Sequence, residues 1–337
     1  MGHRSRTIAT FLAIVLVAAC AAPSGTVGPS PSAMTSASVP SPTASLPSPT
    51  PGPTATPSSP TPSSPSPSST PAAPSPTAPT PTPTPTPTGT MIVRAYFVLD
   101  DAARGDPALV PVLRTVPESR ATARAAMTML LAGPTDDERT ASPRIRTLVP
   151  AGTELLGIEI SNGLATIDLS GDFASGGGSF SAAGRLAQVV YTMTQFTTVD
   201  RVSFKLDGKP VTVFSSEGII LDEPVTRATY RDDFLPAIFV DRPAWGAALL
   251  SPGRVTGLAN VFEAQFSIAL LDHDGRVLID RPVMATCGTG CWGRFDVTLE
   301  YDVSAAQWGT LRVWDTSERD GSRVYVREYP VYLRPTS

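Results

Sequence analysis

Residues 21–90 contain no charged side chain, although the chain elsewhere carries 26 Lys and Arg and 30 Asp and Glu. They hold 22 of its 36 prolines, in runs such as "PTPTPTPT" at 81–88. With no charge and almost no large apolar side chain, such a stretch cannot bury enough surface to offset the entropy of ordering its backbone. It is expected to stay unfolded. Alternating Pro-Thr and Pro-Ser favours polyproline II at ~3.1 Å per residue, a contour of roughly 200 Å. Any fold must therefore come from the 247 residues that follow position 90, enough for one large domain or two ordinary ones.

Ahead of this stretch, Arg4 and Arg6 precede the apolar run "IATFLAIVLVAA" at 8–19. That run is shorter than the ~20 residues a membrane-spanning helix needs, and its basic flank and small terminal residues read as a signal peptide over residues 1–19. "LVAAC" resembles a bacterial lipobox, which makes Cys20 the expected lipidated residue of the mature chain. Two acyl chains on one residue give lasting attachment where one binds only marginally. The expected location is the extracytoplasmic face of a cell membrane, with residues 20–90 as a disordered Pro/Ser/Thr tether of a composition also found in O-glycosylated stalks. The alternative is ordinary cleavage that leaves a free thiol. Without Arg4 and Arg6, 24 basic residues face 30 acidic ones. A net charge of −6 and no Lys/Arg cluster argue against a nucleic-acid partner.

Cys287 and Cys291, in "CGTGC", form an even pair in an exported chain and are expected to bridge. Closing so small a loop stabilises by about 2 kcal/mol, so the bridge would pin a loop rather than hold a domain. A zinc site is the alternative, but it needs four ligands, and His273 is the one histidine downstream of the signal peptide.

The segment after the tether alternates strand and helix signals. "IVRAYFVL" at 92–99 is rich in β-formers, and an irregular stretch follows it. Ala123, Ala126, Met127, Leu130 and Leu131 then lie on one helical face, with Ser119 as the expected cap and Gly133-Pro134 as the stop. Asn162-Gly163, between two alternating runs, signals a hairpin. A second helix is expected over 181–196, burying Leu186, Val189, Val190 and Met193, and then a strand at 201–206. This order implies an α/β or α+β layer, a sheet covered by helices, with α+β as the expected class. "LLAGPT", "VPAGTELLGIEISNGLATIDLS", "LAQVVYTMTQF" and "VDRVSFKLDGKPV" together resemble the GerMN domain of bacterial sporulation and spore-germination proteins, over about 92–218. The resemblance implies a non-catalytic envelope protein and supplies no catalytic residues.

From residue 247, short strands recur with Gly, Asp and Ser in the turns: "GRVTGLANV", "AQFSIALLD", "RVLIDRPVMAT", "RFDVTLEYD", "GTLRVWDTS" and "RVYVREYPVYL". Six or seven strands in ~90 residues predict an all-β sandwich. "SPGRVTGLANVFEAQFSIALLDHDGRVL" and the text beyond it resemble the immunoglobulin-like domain of bacterial spore germination. The expected domains are 91–218, a connector at 219–246 that lends the sandwich a connecting strand, and 247–337.

Chemistry-bearing patterns are sparse. "GGGSF" at 176–180 precedes a helix that could hold an anion, but it lacks the Lys-Ser/Thr of a phosphate loop; the plainer reading is a loop capped by Ser181. His273 stands in a turn, and Asp272 with Asp274 offers too few oxygens for calcium. Asp136-Asp137 and Asp232-Asp233 could in principle serve glycan hydrolysis but read as solvated loops. Trp292 and Trp314, the latter expected to face outward, are the candidate binding aromatics. No catalytic set, cofactor, metal site or small-molecule substrate is identified. The expected function is a non-enzymatic envelope lipoprotein that contacts an envelope protein or cell-wall glycan; the alternative is a glycan-binding module or an accessory to a wall-remodelling enzyme.

Overall fold

Ten of the eleven residues of β1 (Thr90–Asp100) pair with β2 (Ala108–Pro117), antiparallel, and its end also pairs with β3 (Arg144–Arg146). The computed structural model describes residues 89–100 and 107–335, which lie in one compact unit. Ala95 to Leu99 are buried without alternation, because β1 is central and covered on both faces. The stretch read as irregular contains β2. Pro111 and Pro117 disguised it, and β2 is an edge strand, where proline is tolerated.

Between β2 and β3 lie α1 (Thr122–Ala132) and α2 (Asp136–Thr140). Ala126, Met127 and Leu130 of α1 are buried, as their spacing predicts. Its cap differs from expectation: Ala121 is the N-cap residue, and the Ser119 hydroxyl instead accepts from Ala121 N. α2 starts with a capping box between Thr135 and Glu138, and Glu138 also receives both Nη atoms of Arg114, at 2.7 and 2.6 Å.

β4 (Leu155–Ser161) and β5 (Gly163–Leu169) form the expected hairpin. Asn162 and Gly163 have φ of 50° and 77°, the left-handed pair a two-residue turn demands. α3 (Ser179–Met193) then crosses over to β6 (Val199–Leu206), which runs parallel to β5, and β7 (Lys209–Pro210) completes the sheet order β4-β5-β6-β7. Every residue of α3 from Gly184 to Met193 is buried, since the helix packs against β1, β6 and α1. Three polar side chains on this helix and just past it have a structural task. Thr192 Oγ1 accepts from Tyr96 N, Gln188 Nε2 donates to Tyr96 O, and Gln195 bonds both N and O of Arg94. Spaced four and three residues apart, they form one stripe that satisfies the open edge of β1 as a neighbouring strand would.

β8 (Val213–Phe214) and β9 (Ile219–Ile220) form a small hairpin, and α4 (Arg227–Phe234) packs on α3. The all-β part follows: β10 (Ile238–Arg242), β11 (Ala248–Leu249), β12 (Gly253–Ala259), β13 (Gln265–Leu271), β14 (Val277–Met284), β15 (Gly293–Leu299), β16 (Gln307–Thr316) and β17 (Arg323–Leu333). One sheet has the order β10-β12-β15 and the other β11-β17-β16-β13-β14. Their inner faces meet through residues such as Phe266 and Phe295, whose rings cross at 4.9 Å. The architecture is thus α+β followed by a β-sandwich.

Candidate functional site

The glycine loop ahead of α3 does not present an anion cradle. Arg185, in the second turn of the helix, is 1% exposed. Its Nη1 donates to the carbonyls of Phe173 and Ser175 and its Nη2 to that of Gly176, each at 2.7 Å. The loop therefore turns carbonyl oxygens inward around its own guanidinium, and burial lowers that group's pKa. Ser181, the expected cap, accepts from Arg185 at 3.2 Å, while Gly178 is the N-cap residue.

The sulfurs of Cys287 and Cys291 meet at bonding distance. The loop between them is latched to the segment before β13: Thr289 N donates to Val261 O at 2.8 Å, Gly290 N to Asn260 Oδ1 at 3.0 Å, and Glu263 N to Thr289 Oγ1 at 3.0 Å. Gly288 is required by proximity, because a Cβ there would strike the backbone of Ala264 and Val261. Trp292, directly after the loop, is half-buried. Its indole N–H donates to Asp232 Oδ1 at 2.6 Å, and the Arg231 guanidinium lies 5.5 Å from its ring, so it ties the cysteine loop to α4. Trp314 is correct in phase but not in exposure. It lies on the outer sheet face with Ala269 and Leu271, is 5% exposed, and is covered by Val326 and by Arg323 at 4.3 Å.

The remaining candidates are held by local contacts. His273 is exposed at its turn, where it meets Gln307 and lies 3.3 Å from Asp274. Asp272 Oδ1 accepts from the N–H groups of Asp274 and Arg276 at 3.0 and 2.9 Å, an Asx turn. Asp136 pairs with Arg139 inside α2, and Asp232 is engaged by Trp292. Among the described residues no cluster of three or more His, Cys, Asp or Glu side chains converges.

The most developed polar cluster was not anticipated. It joins β1, α3 and α4 to β10. Asp241 accepts from Arg94 Nη1 at 3.1 and 2.9 Å and from the Tyr96 hydroxyl at 3.0 Å. Arg227 lies 5.3 Å from the Tyr96 ring and 4.7 Å from that of Tyr191, and it donates to Thr194 Oγ1 at 2.7 Å. Burial raises the pKa of both phenols above the ordinary range despite the neighbouring Arg227. Beside this cluster, Trp245 N donates to Pro111 O and Gly246 N to Pro330 O, both at 2.9 Å. These contacts fix the sandwich to the edge of the first sheet. Their sequence signal was weak, since each group is an ordinary residue in an ordinary strand and only the tertiary pairing gives it a role.

Comparison with known proteins finds two family matches in the described part of the chain. Residues 94–212 match the family Germane, described as sporulation and spore germination. Residues 237–322 match Gmad2, the immunoglobulin-like domain of bacterial spore germination. The second match starts ahead of residue 247 and takes in β10, the strand that pairs with β12. Lipoprotein LpqB of Thermobifida fusca is 34% identical over 106 residues, which cover 32% of this chain and 16% of that protein. Among solved structures, the tandem GerMN domains of the sporulation protein GerM from Bacillus subtilis are 16% identical with a TM-score of 0.36, covering 74% of this chain and 62% of that one. The first GerMN domain of the same protein is 19% identical with a TM-score of 0.32, covering 41% and 98%. Cys20 and the tether up to residue 88 lie outside the described residues, whereas Thr90, the last residue assigned to the tether, already belongs to β1; among the described residues no helix is long and apolar enough to cross a membrane.

Proposed function

We propose, from the premise that the folded part of this chain is a GerMN-type domain followed by the immunoglobulin-like domain of bacterial spore germination, that the protein is a non-enzymatic lipoprotein of the cell envelope. Its two modules act by contact, as a scaffold in sporulation, germination or envelope assembly. The observation that carries this reading is the ordered pair of family matches in one chain, whose descriptions name a developmental process and no reaction. A relative named as a lipoprotein and the "LVAAC" motif ending at Cys20 support attachment through lipid at the extracytoplasmic face of the membrane. Residues 21–90 then act as a spacer that carries the modules away from the bilayer.

Metabolic labelling with a palmitate analogue, followed by fractionation, tests the anchor. The parent chain should carry label and sediment with membranes, and Cys20→Ala should lose both properties. An unlabelled parent chain recovered in the cytosol overturns the reading. A glycan-binding alternative is not favoured, because Arg323 covers the Trp314 ring and Arg231 lies against Trp292.

A further inference from the structure

We propose that the outer edge of β4, together with the start of α1, is a docking groove for an extended acidic peptide segment of a partner protein. The proposal rests on the contact function above and names the chemistry of the contact. β4 is the outermost strand of its sheet. In a two-residue hairpin the residues flanking the turn, here Ser161 and Leu164, exchange both backbone hydrogen bonds, and the pattern alternates from there. The N–H and C=O groups of Ile158 and Ile160 consequently point away from β5, as an open ladder for another strand.

Side chains supply the remaining features. Ile158 and Ile160 pair across the hairpin with the buried Ile167 and Ala165, so they belong to the core-facing row. Yet Ile160 remains 39% exposed, because α1 covers the row only in part. The space left between α1 and the strand is about 710 Å³. An incoming strand would extend the apolar row over this floor.

Charge selects the partner. Arg120 and Arg124 line the groove, no carboxylate side chain does, and among the described residues neither guanidinium has an ion-pair partner. At the rim, Arg201 donates to Asn162 O, and Asp200 beside Gly163 offsets it. α1 adds the positive end of its dipole, with no side-chain cap and no acidic residue in its first turn. The charge-free tether cannot answer these arginines, and a second copy of β4 would bring Glu159 as its one charged residue.

The test measures fluorescence anisotropy of a labelled peptide of alternating valine and threonine flanked by glutamates, titrated with the full chain. Saturable binding is expected, weakened about tenfold by Arg120→Glu with Arg124→Glu. A lysine-flanked peptide should show the reverse preference. Methylating alternate peptide amides leaves the protein untouched: the register facing β4 should abolish binding, and the other should spare it. The proposal is overturned if binding is absent, if the charge swap has no effect, or if both registers are tolerated alike. It is equally overturned if a peptide of residues 71–88 binds more tightly, or if light scattering shows a dimer that the acidic peptide does not dissociate. None of these readouts depends on Cys20, so failure here leaves the anchoring test intact.

Discussion

Replacing Asp241 with alanine should loosen the junction between the two modules, and the structure sets the size of the effect. The ion pair with Arg94 is 2.9 Å long, with side-chain exposures of 18% for Arg94 and 27% for Asp241. Breaking a fully buried pair costs ~3–5 kcal/mol, and an exposed pair contributes ~0–1 kcal/mol. Partial burial places this loss at about 2 kcal/mol. Burial, the largest single influence, would depress the Arg94 guanidinium, yet Asp241 and Tyr96 together leave its pKa raised. The same substitution removes the acceptor of the buried Tyr96 hydroxyl, which adds ~1 kcal/mol. Asp241→Ala should therefore destabilise by about 3 kcal/mol, and Asp241→Asn, which keeps an acceptor for Tyr96, by about 2 kcal/mol. Urea unfolding of the full chain, followed by tryptophan fluorescence and circular dichroism, gives these values. A double-mutant cycle with Arg94→Ala should return a coupling of ~1–2 kcal/mol. If Asp241→Ala lies within ~0.5 kcal/mol of the parent, or the two substitutions are additive, the cluster does not hold the modules together.

Gly257→Ala should cost ~2–3 kcal/mol in urea unfolding, because its Cβ would strike the Phe239 carbonyl and the Phe295 ring; a neutral result would mean that β10 and β12 can part at no cost. Arg185→Lys keeps the charge but not the fork that reaches three carbonyls, so it should lose ~2 kcal/mol and speed proteolysis at residues 175–178. Burial raises the phenol pKa of Tyr96, Tyr191, Tyr230 and Tyr329, the last to about 12. Their contribution is complete below the unfolded phenol pKa of ~10; that of Tyr329 is lost as pH rises through about 12, and the other three also titrate above their ordinary range. Stability should hold up to pH ~10 and fall above it, with phenolate absorbance appearing together with loss of structure; early titration of these tyrosines without unfolding would contradict their burial. Replacing Cys287 and Cys291 with serine should cost no more than ~2 kcal/mol and shift the emission of Trp292, and a loss of the whole fold would show the loop to be more than a local latch.

How far the sequence could be read depended on which interactions set each element. The Asn162-Gly163 turn, the buried face of α1 and the core positions of α3 follow from local conformation and periodicity, and both were readable. β2 was hidden because proline argues against a strand unless the strand is known to lie at an edge, which is a tertiary fact. Gln188, Thr192 and Gln195 break the apolar pattern of α3, and their role depends on an open strand edge that no local window reveals. The Thr135–Glu138 capping box was present in the text as "TDDE" but was passed over in favour of reading its acids as a solvated loop. For Trp314 alternation gave the face correctly, while its cover arrives from Arg323 and Val326 on the next strand.

The path of β17 has a consequence for assembly. β17 runs parallel to β11, and its Pro330 and Tyr332 hold Gly246 and Ala247, in the strap that carries Trp245 to Pro111 on β2. A chain emerging from the ribosome or an export pore exposes that strap long before the residues that seat it. The part of the seam that β17 holds can close only after residue 332 has cleared the pore, and a nascent chain halted upstream of Arg323 would leave Gly246 and Ala247 without their seat.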